Sequence, residues 1–118
     1  AFFAYSAKNR ELIRLSLATM FAAPGEVPKG FSCRAKCERN FEFVQALISR
    51  AQQTGELERH YDSRELALGI YGQAHFYLAA NYVMPDCKPD RQTARRIVDL
   101  FLAGAATRAR RQRMRKTR

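Results

Sequence analysis

Apolar residues recur along this chain at spacings of three and four, the period of an amphipathic helix. The clearest stripe steps through Cys33, Cys37, Phe41, Val44, Ile48 and Ala51. Sustained alternation of apolar and polar residues with β-branched enrichment, which a half-buried strand requires, is missing from the sequence. The pattern therefore predicts an all-α fold, a helical bundle.

Glycine and proline divide the chain into helical lengths. They cluster between Pro24 and Gly30, at Gly55, and between Pro85 and Pro89. The predicted helices cover residues 9–22, 31–54 and 63–84, with a last helix from about residue 90 that runs on into the C-terminal arginines.

Three positions carry helix-end signals. Ser32 is a candidate N-cap for the second predicted helix, and Gly55 stands where that helix would end in a left-handed turn. Asp62, followed three residues later by Glu65, forms a plausible capping box for the third.

Two of the predicted helices are apolar on more than one face. The helix over 9–22 is apolar on more than one face, which predicts burial, and the helix over 63–84 leaves little polar surface. Together with the last helix, it favours a homodimer held by a four-helix bundle, although the same faces could instead meet inside a monomer. The predicted dimer interface consists of Ile70, Ala74, Tyr77, Leu78, Ala94, Ile97, Val98, Phe101 and Ala105.

Positive charge is concentrated at the C-terminus. The 118 residues carry a formal net charge of +10, but seven of the 21 basic residues lie between 108 and 118 without an acidic residue among them. This predicts a helical domain over 1–107 and a basic tail over 108–118. The tail could contact phosphates without reading sequence, or it could be a solvated helix end; the second interpretation is favoured.

Catalytic and metal-binding patterns do not emerge from the sequence. It holds no nucleophile motif, no glycine-rich phosphate loop, and no histidine and carboxylate spacing typical of a catalytic metal. We therefore expect no enzyme activity, no cofactor and no metal. Apolar runs stay well below the roughly 20 residues that a bilayer needs, so no membrane association is expected.

Three cysteines, an odd number without a secretory leader, favour a reducing compartment, the cytoplasm. Cys33 and Cys37 lie four apart and could share a soft metal or respond to oxidant, but their place in the apolar stripe favours buried core thiols. Cys87, in a loop flanked by prolines, is the more reactive candidate.

A resemblance to a known family rests on the order of several segments. They are Ala51-Gln52-Gln53-Thr54-Gly55-Glu56-Leu57, then Asp62-Ser63-Arg64-Glu65-Leu66-Ala67 before a long apolar helix, and upstream Asn9-Arg10-Glu11-Leu12-Ile13-Arg14-Leu15 ending in Met20-Phe21. In this order they resemble the regulatory domain of TetR-type transcriptional repressors, over nearly all of residues 1–106.

The resemblance implies a domain whose last two helices form a symmetric dimer and whose earlier helices enclose a pocket for a small apolar or aromatic effector. DNA would be bound only through a three-helix head that would precede these residues and is absent from them. His75, in the middle of a helix, is either a ligand-facing group or a satisfied core histidine. The resemblance suggests a pocket lined by Met20, Phe41, Val44, Gln45, Ile48, Tyr71 and His75.

Two functional hypotheses remain open from the sequence. The first is a ligand-controlled repressor in which effector binding shifts the dimer between two arrangements. The second is a stand-alone helical interaction module, whose apolar faces dock a partner and whose basic tail meets an acidic surface.

Overall fold

The structure, a computed structural model, describes residues 1–23, 25–27 and 34–116. Every regular element in these ranges is an α-helix, as predicted, and the only β pairing is an isolated bridge between Leu57 and Ala106. The helices are α1 (Phe2–Lys8), α2 (Arg10–Met20), α3 (Arg34–Gln53), α4 (Ser63–Val83), α5 (Arg91–Ala105) and α6 (Arg108–Lys116).

The predicted helix ends are largely confirmed. The Asp62 carboxylate accepts hydrogen bonds from the backbone N–H groups of Arg64 and Glu65 at the start of α4. Gly55, with φ of +75°, turns the chain after α3, in a backbone region that side chains disfavour. Asp90 caps α5 through the N–H of Thr93. Ser32 lies outside the described residues.

The N-terminal apolar stretch forms a helix of its own. α1 ends at Asn9, whose backbone lies outside the helical region, and α2 begins one residue later. The predicted burial of the helix over 9–22 is wrong, because α2 contains no buried residue. It contacts α1 and α4 along one side, with Ile13 and Leu17 partly buried, while Leu12 and Leu15 stay exposed.

Two small hydrophobic clusters hold the domain together. One joins Ile48 of α3 and Leu57 to Ala67 of α4 and Ala105 of α5; the other joins α1, α4 and α5 through Phe3, Leu78 and Ile97. Because Ala67 shares a cluster with Ala105 and Leu78 with Ile97, α4 and α5 run antiparallel. α3 packs along the same helix α4, so α4 is the centre of the fold.

The last helix does not run on into the arginines as predicted. Ala106 leaves the helical region (φ −74°, ψ 145°) and pairs with Leu57, and a separate helix, α6, starts at Arg108. Hydrogen bonds hold the break: Glu58 N–H to Ala105 O (3.0 Å) and Thr107 N–H to Glu56 O (3.2 Å). The cause is tertiary contact with the turn after α3, because Gly104, the nearest glycine, still lies inside α5.

The domain is thin. Its extents are 49 × 30 × 20 Å, and the shortest of these equals about two helix diameters. Its radius of gyration, 16.3 Å, exceeds the 13 to 14 Å that is roughly expected for a compact chain of this length. Among the described residues no large side chain is fully buried. Several helices therefore keep one face open.

Candidate functional site

The first candidate site is a cavity of about 610 Å³ between the first four helices. Its wall is mainly apolar, which is typical of a site for a small organic ligand. α1 and α2 supply most of the apolar groups, while α3 and α4 supply most of the polar ones. The lining residues are Phe2, Tyr5, Leu12, Ile13, Ser16, Leu17, Met20, Lys36, Cys37, Asn40, Tyr71, His75 and Leu78, together with Ala1.

A stack of rings forms the α4 side of this cavity. The ring of His75 lies 4.1 Å from that of Tyr71, one helical turn away, and 5.5 Å from that of Phe2 in α1. The ring of Phe41 meets Tyr71 edge-on at 6.0 Å. The Tyr71 ring therefore packs between Phe41 of α3 and His75 of its own helix. Phe2 of α1 contacts the same group of rings through His75.

The hydrogen bonding of His75 distinguishes its two ring nitrogens. His75 Nδ1 lies 2.9 Å from the carbonyl oxygen of Tyr71. Since a carbonyl only accepts hydrogen bonds, Nδ1 is the donor of this contact. Nε2 is therefore the nitrogen through which His75 can contact a ligand.

The phenol of Tyr71 is partly shielded from water. Burial raises the pKa of Tyr71 above 10.0, and the nearby Cys37 adds to the rise, while a hydrogen bond with Asn40 opposes it. The hydroxyl therefore stays protonated over a wide pH range. It presents a neutral hydrogen-bonding group beside the apolar wall.

Lys36 is the cation of the first cavity. Its Nζ lies 5.9 Å from the ring centre of Tyr5, so it bridges α3 to α1 by a cation–π contact. The side chain is exposed, which keeps its charge solvated at the edge of an apolar wall. This combination suits a ligand with an apolar body and an acidic end.

A second cavity of about 560 Å³ lies between α3, α4 and α5. It shares Phe2, Asn40 and Tyr71 with the first cavity, so these three residues separate the two spaces. Its remaining wall is almost wholly apolar and is formed by Phe43, Val44, Leu47, Ile48, Ala51, Leu57, Ile70, Ala74, Val98, Phe101 and Leu102, with Glu56 as the charged member.

The structure divides the predicted pocket residues between these two spaces. Met20 and His75 line the first cavity, Val44 and Ile48 line the second, and Tyr71 lines both. Two residues line neither cavity. Phe41 packs behind Tyr71, with the Arg64 guanidinium 5.4 Å from its ring centre, and Gln45 donates to Ser63 Oγ (3.3 Å).

Sequence reasoning missed the polar edge of the first cavity. Lys36 and Asn40 lie four apart on α3, beside the apolar stripe, and both contribute to the wall. A polar pair at that spacing on the flank of a stripe was the available signal. The contribution of α1, through Phe2 and Tyr5, depends on tertiary packing alone.

The residues predicted for the dimer interface lie mostly inside the protomer. Leu78, Ile97 and Ala105 are buried in the two core clusters. Others pack against those clusters while partly exposed: Ile70, Ala74, Tyr77, Ala94 and Phe101. Val98 is half-exposed on the wall of the second cavity.

A different apolar face of α4 is open. Leu68, Gly72, Phe76 and Val83 follow one another at spacings of four, four and seven, which places them on one side of the helix. Phe76 is 71% and Val83 82% exposed. A Cβ added at Gly69 or Gly72 would meet nothing within 4 Å. We name this set, with Gly69, the α4 seam.

α5 continues the seam. Val98 and Leu102 line the second cavity against α3, so Leu100, roughly 160° around the helix from Val98, points away from α3. Leu100 is 66% exposed, and Gly104 lies one turn further along the helix. Because the helices are antiparallel, these two residues are level with Leu68 and Gly72.

Other chemistry finds little support in the described ranges. No group of three or more histidine, cysteine or acidic residues there could hold a metal ion. Cys37 lines the first cavity and Cys87 is half-buried, and neither forms a disulfide. Cys33 lies outside the described residues. None of the described helices combines the length and the apolar character needed to cross a membrane.

Comparisons with protein-family models, with curated protein sequences and with solved structures find no match to this chain.

Proposed function

We propose that this chain is the effector-binding and dimerisation domain of a ligand-controlled transcriptional repressor of the TetR type. DNA would be contacted by a helix-turn-helix head elsewhere in the parent protein. The observation that carries the proposal is the first cavity: a mainly apolar space of about 610 Å³ that residues of four helices line and that is open on one side.

The polar groups define the class of effector. An apolar or aromatic body fits the walls formed by α1 and α2, and an acidic end fits Lys36 at the edge. A hydroxyl or amide N–H on the effector would satisfy His75 Nε2, since Nδ1 is already bonded to the backbone. The proposed effector is therefore a small amphipathic organic acid.

The proposed assembly is a homodimer through the last two long helices, α4 and α5. The seam that α4 and α5 leave open supplies the contact, with Leu68, Phe76 and Leu100 as apolar groups and Gly69, Gly72 and Gly104 allowing close approach. Two antiparallel pairs brought together in this way form a four-helix bundle. In this dimer, the partner protomer would cover the apolar side chains that one protomer leaves exposed.

Coupling between effector and dimer follows from the position of α4. Tyr71 and His75 of this helix line the cavity, and Phe76, about 100° around the helix from His75, faces the proposed interface. A ligand that reorients α4 alters the angle between the two protomers. It shifts the dimer only as far as its affinity differs between the two arrangements.

Direct binding of anilinonaphthalene sulfonate, an apolar aromatic sulfonate whose fluorescence rises in apolar sites, tests the cavity. We expect saturable binding, and Cys37→Phe, which fills the first cavity, to weaken it at least about tenfold, or 1.4 kcal/mol. Leu47→Phe, in the second cavity only, is the matched control and should leave the affinity within about twofold.

Absence of saturable binding would contradict the effector proposal. Binding that is lost in Leu47→Phe but kept in Cys37→Phe would move the site to the second cavity. For small acids without fluorescence, thermal unfolding gives the same comparison. At ten times Kd a ligand specific for the folded state stabilises by about 1.4 kcal/mol, which raises Tm by roughly 4 to 8 °C.

A second function, a stand-alone interaction module, is favoured by the exposed Phe43 and Leu47 on α3. These residues are one turn apart and are separate from the α4 seam. A module that binds a protein partner through α3 predicts no saturable binding of small acids, so the same titration distinguishes the two functions.

A further inference from the structure

α6 differs in charge from every other element of the fold. Its nine residues include five arginines and one lysine and no acidic residue. Its described basic side chains, Arg108, Arg113, Arg115 and Lys116, are all exposed. Residues 1–107 carry a net charge of only +3. The basicity of the molecule is therefore concentrated in one short helix.

The base of α6 is fixed to the body. Thr107, the residue before the helix, donates from its backbone N–H to Glu56 O and from Oγ1 to Gly55 O, both at 3.2 Å. The neighbouring Ala106 is fully buried against the turn. α6 is therefore a separate helix that starts next to a residue bonded to the body, and it is not a continuation of α5.

The charge of α6 exceeds that of the carboxylates in the turn at its base. The turn that packs against its base, residues 55–58, supplies two carboxylates, those of Glu56 and Glu58. Glu58 also lies 3.9 Å from His60. Even with both carboxylates assigned to α6, four positive charges remain over a helix about 13 Å long. An external polyanion is the natural counterion for such a density.

The composition selects the kind of polyanion. Arginine, which outnumbers lysine five to one in α6, binds phosphate oxygens with two parallel hydrogen bonds. Binding to a lipid surface calls for a face of large apolar side chains. In α6 the sole large apolar residue is Met114. A row of phosphates on a nucleic-acid backbone matches both features.

We propose that α6 binds the phosphate backbone of duplex DNA without reading its sequence. The helix would lie along a strand and neutralise about four or five phosphates. Each neutralised phosphate releases condensed counterions, which makes the affinity steeply dependent on salt. This contact needs only the present chain and does not depend on a separate DNA-binding head or on the effector cavity.

The test is fluorescence anisotropy of the full chain with a labelled duplex of arbitrary sequence over a range of sodium chloride concentrations. Four or five contacts predict a slope of log K against log salt near −4, or a loss of affinity of roughly 250-fold between about 50 and about 200 mM. The variant Arg108→Gln, Arg113→Gln, Arg115→Gln and Lys116→Gln should flatten the slope to about −1.

The matched control removes the same charge from the body. Lys8→Gln, Arg39→Gln, Arg91→Gln and Arg95→Gln change exposed residues of α1, α3 and α5. This variant should keep a slope near −4. Equal losses in the two variants would assign the binding to net charge and overturn the proposal, as would no binding by the wild type at about 50 mM salt.

Competition separates DNA from other polyanions. Unlabelled duplex should displace the labelled duplex, whereas polyglutamate and phosphatidylserine vesicles at equal charge concentration should compete at least about tenfold less well. Equal competition by polyglutamate would overturn the proposal in favour of an acidic protein surface as the partner of α6. Equal competition by the vesicles would overturn it in favour of a membrane. Circular dichroism of both variants checks that the overall helical content is retained.

Discussion

Tyr71 is the residue on which the two cavities, the ring stack and helix α3 converge. Its raised pKa means that the folded chain holds the phenolic proton more tightly than the unfolded chain does. The free energy of unfolding should therefore fall as the pH rises from 10.0 toward the pKa of the folded state. Below pH 10.0 this contribution is constant.

Tyr71→Phe should remove that alkaline loss, since it deletes the titrating hydroxyl and keeps the ring. Urea unfolding at pH 9 and at about pH 11 measures the difference for the wild type and the variant. Tyr5→Phe, at the cavity edge, is the control. An alkaline loss of the same size in Tyr71→Phe would show that another group causes it.

Asp90 provides a second pH signature, with the opposite sign. Hydrogen bonds from the backbone and side chain of Thr93 hold the pKa of this carboxyl below 3.8. Its stabilising contribution is present above the unfolded pKa and is lost as the pH falls through the lower pKa of the folded state.

Asp90→Asn keeps a capping oxygen but cannot titrate. Acid titration of the helical circular dichroism signal should show a shallower loss below about pH 4 for this variant than for the wild type. Identical acid profiles would contradict the role assigned to Asp90.

Sequence reasoning at the residue scale was most successful where local chemistry decides the outcome. The cap at Asp62 and the left-handed turn at Gly55 depend on neighbours within three or four residues, and both were predicted. The wall of the first cavity depends on which helices pack together. Met20, Tyr71 and His75 were anticipated there, whereas Lys36 and the two aromatics of α1 were not.

Among the elements, α4 carries most of the proposed function. Its low amphipathicity made it appear buried on all sides, and periodicity alone could not tell the inward face from the outward one. The packing of α3 and α5 resolves this, because it covers Ala67 and Leu78 and leaves Phe76 and Val83 open. The interface residues predicted from the sequence came from the inward face.

Substitution of the glycines in the α4 seam should have opposite effects on protomer stability and on dimer affinity. In the protomer, Gly69→Ala with Gly72→Ala should stabilise α4, by about 0.8 to 1 kcal/mol for each substitution, because the added methyl groups meet nothing. If two seams pack closely, the same methyl groups weaken the dimer. We expect a more stable monomer and a dimer dissociation constant at least about tenfold higher.

Equilibrium unfolding at low concentration measures the first effect, and sedimentation equilibrium measures the second. A pair of substitutions that stabilises the protomer and leaves association unchanged would remove the glycines from the interface. Loss of protomer stability would show that α4 is already covered on this side.

Asp62→Ala tests the N-terminal end of α4. Loss of the capping carboxylate leaves the N–H groups of Arg64 and Glu65 without that acceptor and should cost about 1 kcal/mol of folding free energy. Asp62→Asn should retain most of the stability. Equal losses in the two variants would assign the effect to charge rather than to capping.

For the whole molecule, the thin shape and the exposed apolar groups both indicate that one protomer alone covers too little of its apolar surface. A slab about two helices thick, with Phe76, Val83 and Leu100 in water, buries little of its apolar surface by itself. The sequence indicated surplus apolar surface and hence a dimer, and this interpretation stays a prediction. The break before α6 could not be predicted, because it arises from a bridge between residues 57 and 106.

The molar mass of the chain in solution tests the central claim most directly. Light scattering behind a sizing column in moderate salt, over a range of concentrations, should give twice the 13.5 kDa of one chain. Phe76→Glu with Leu100→Glu should give the monomer mass with helical content retained, while Phe43→Glu with Leu47→Glu, on α3, should leave the dimer intact. A wild-type chain that stays at the monomer mass throughout, or a dimer that only the α3 variant dissociates, would contradict the proposed assembly.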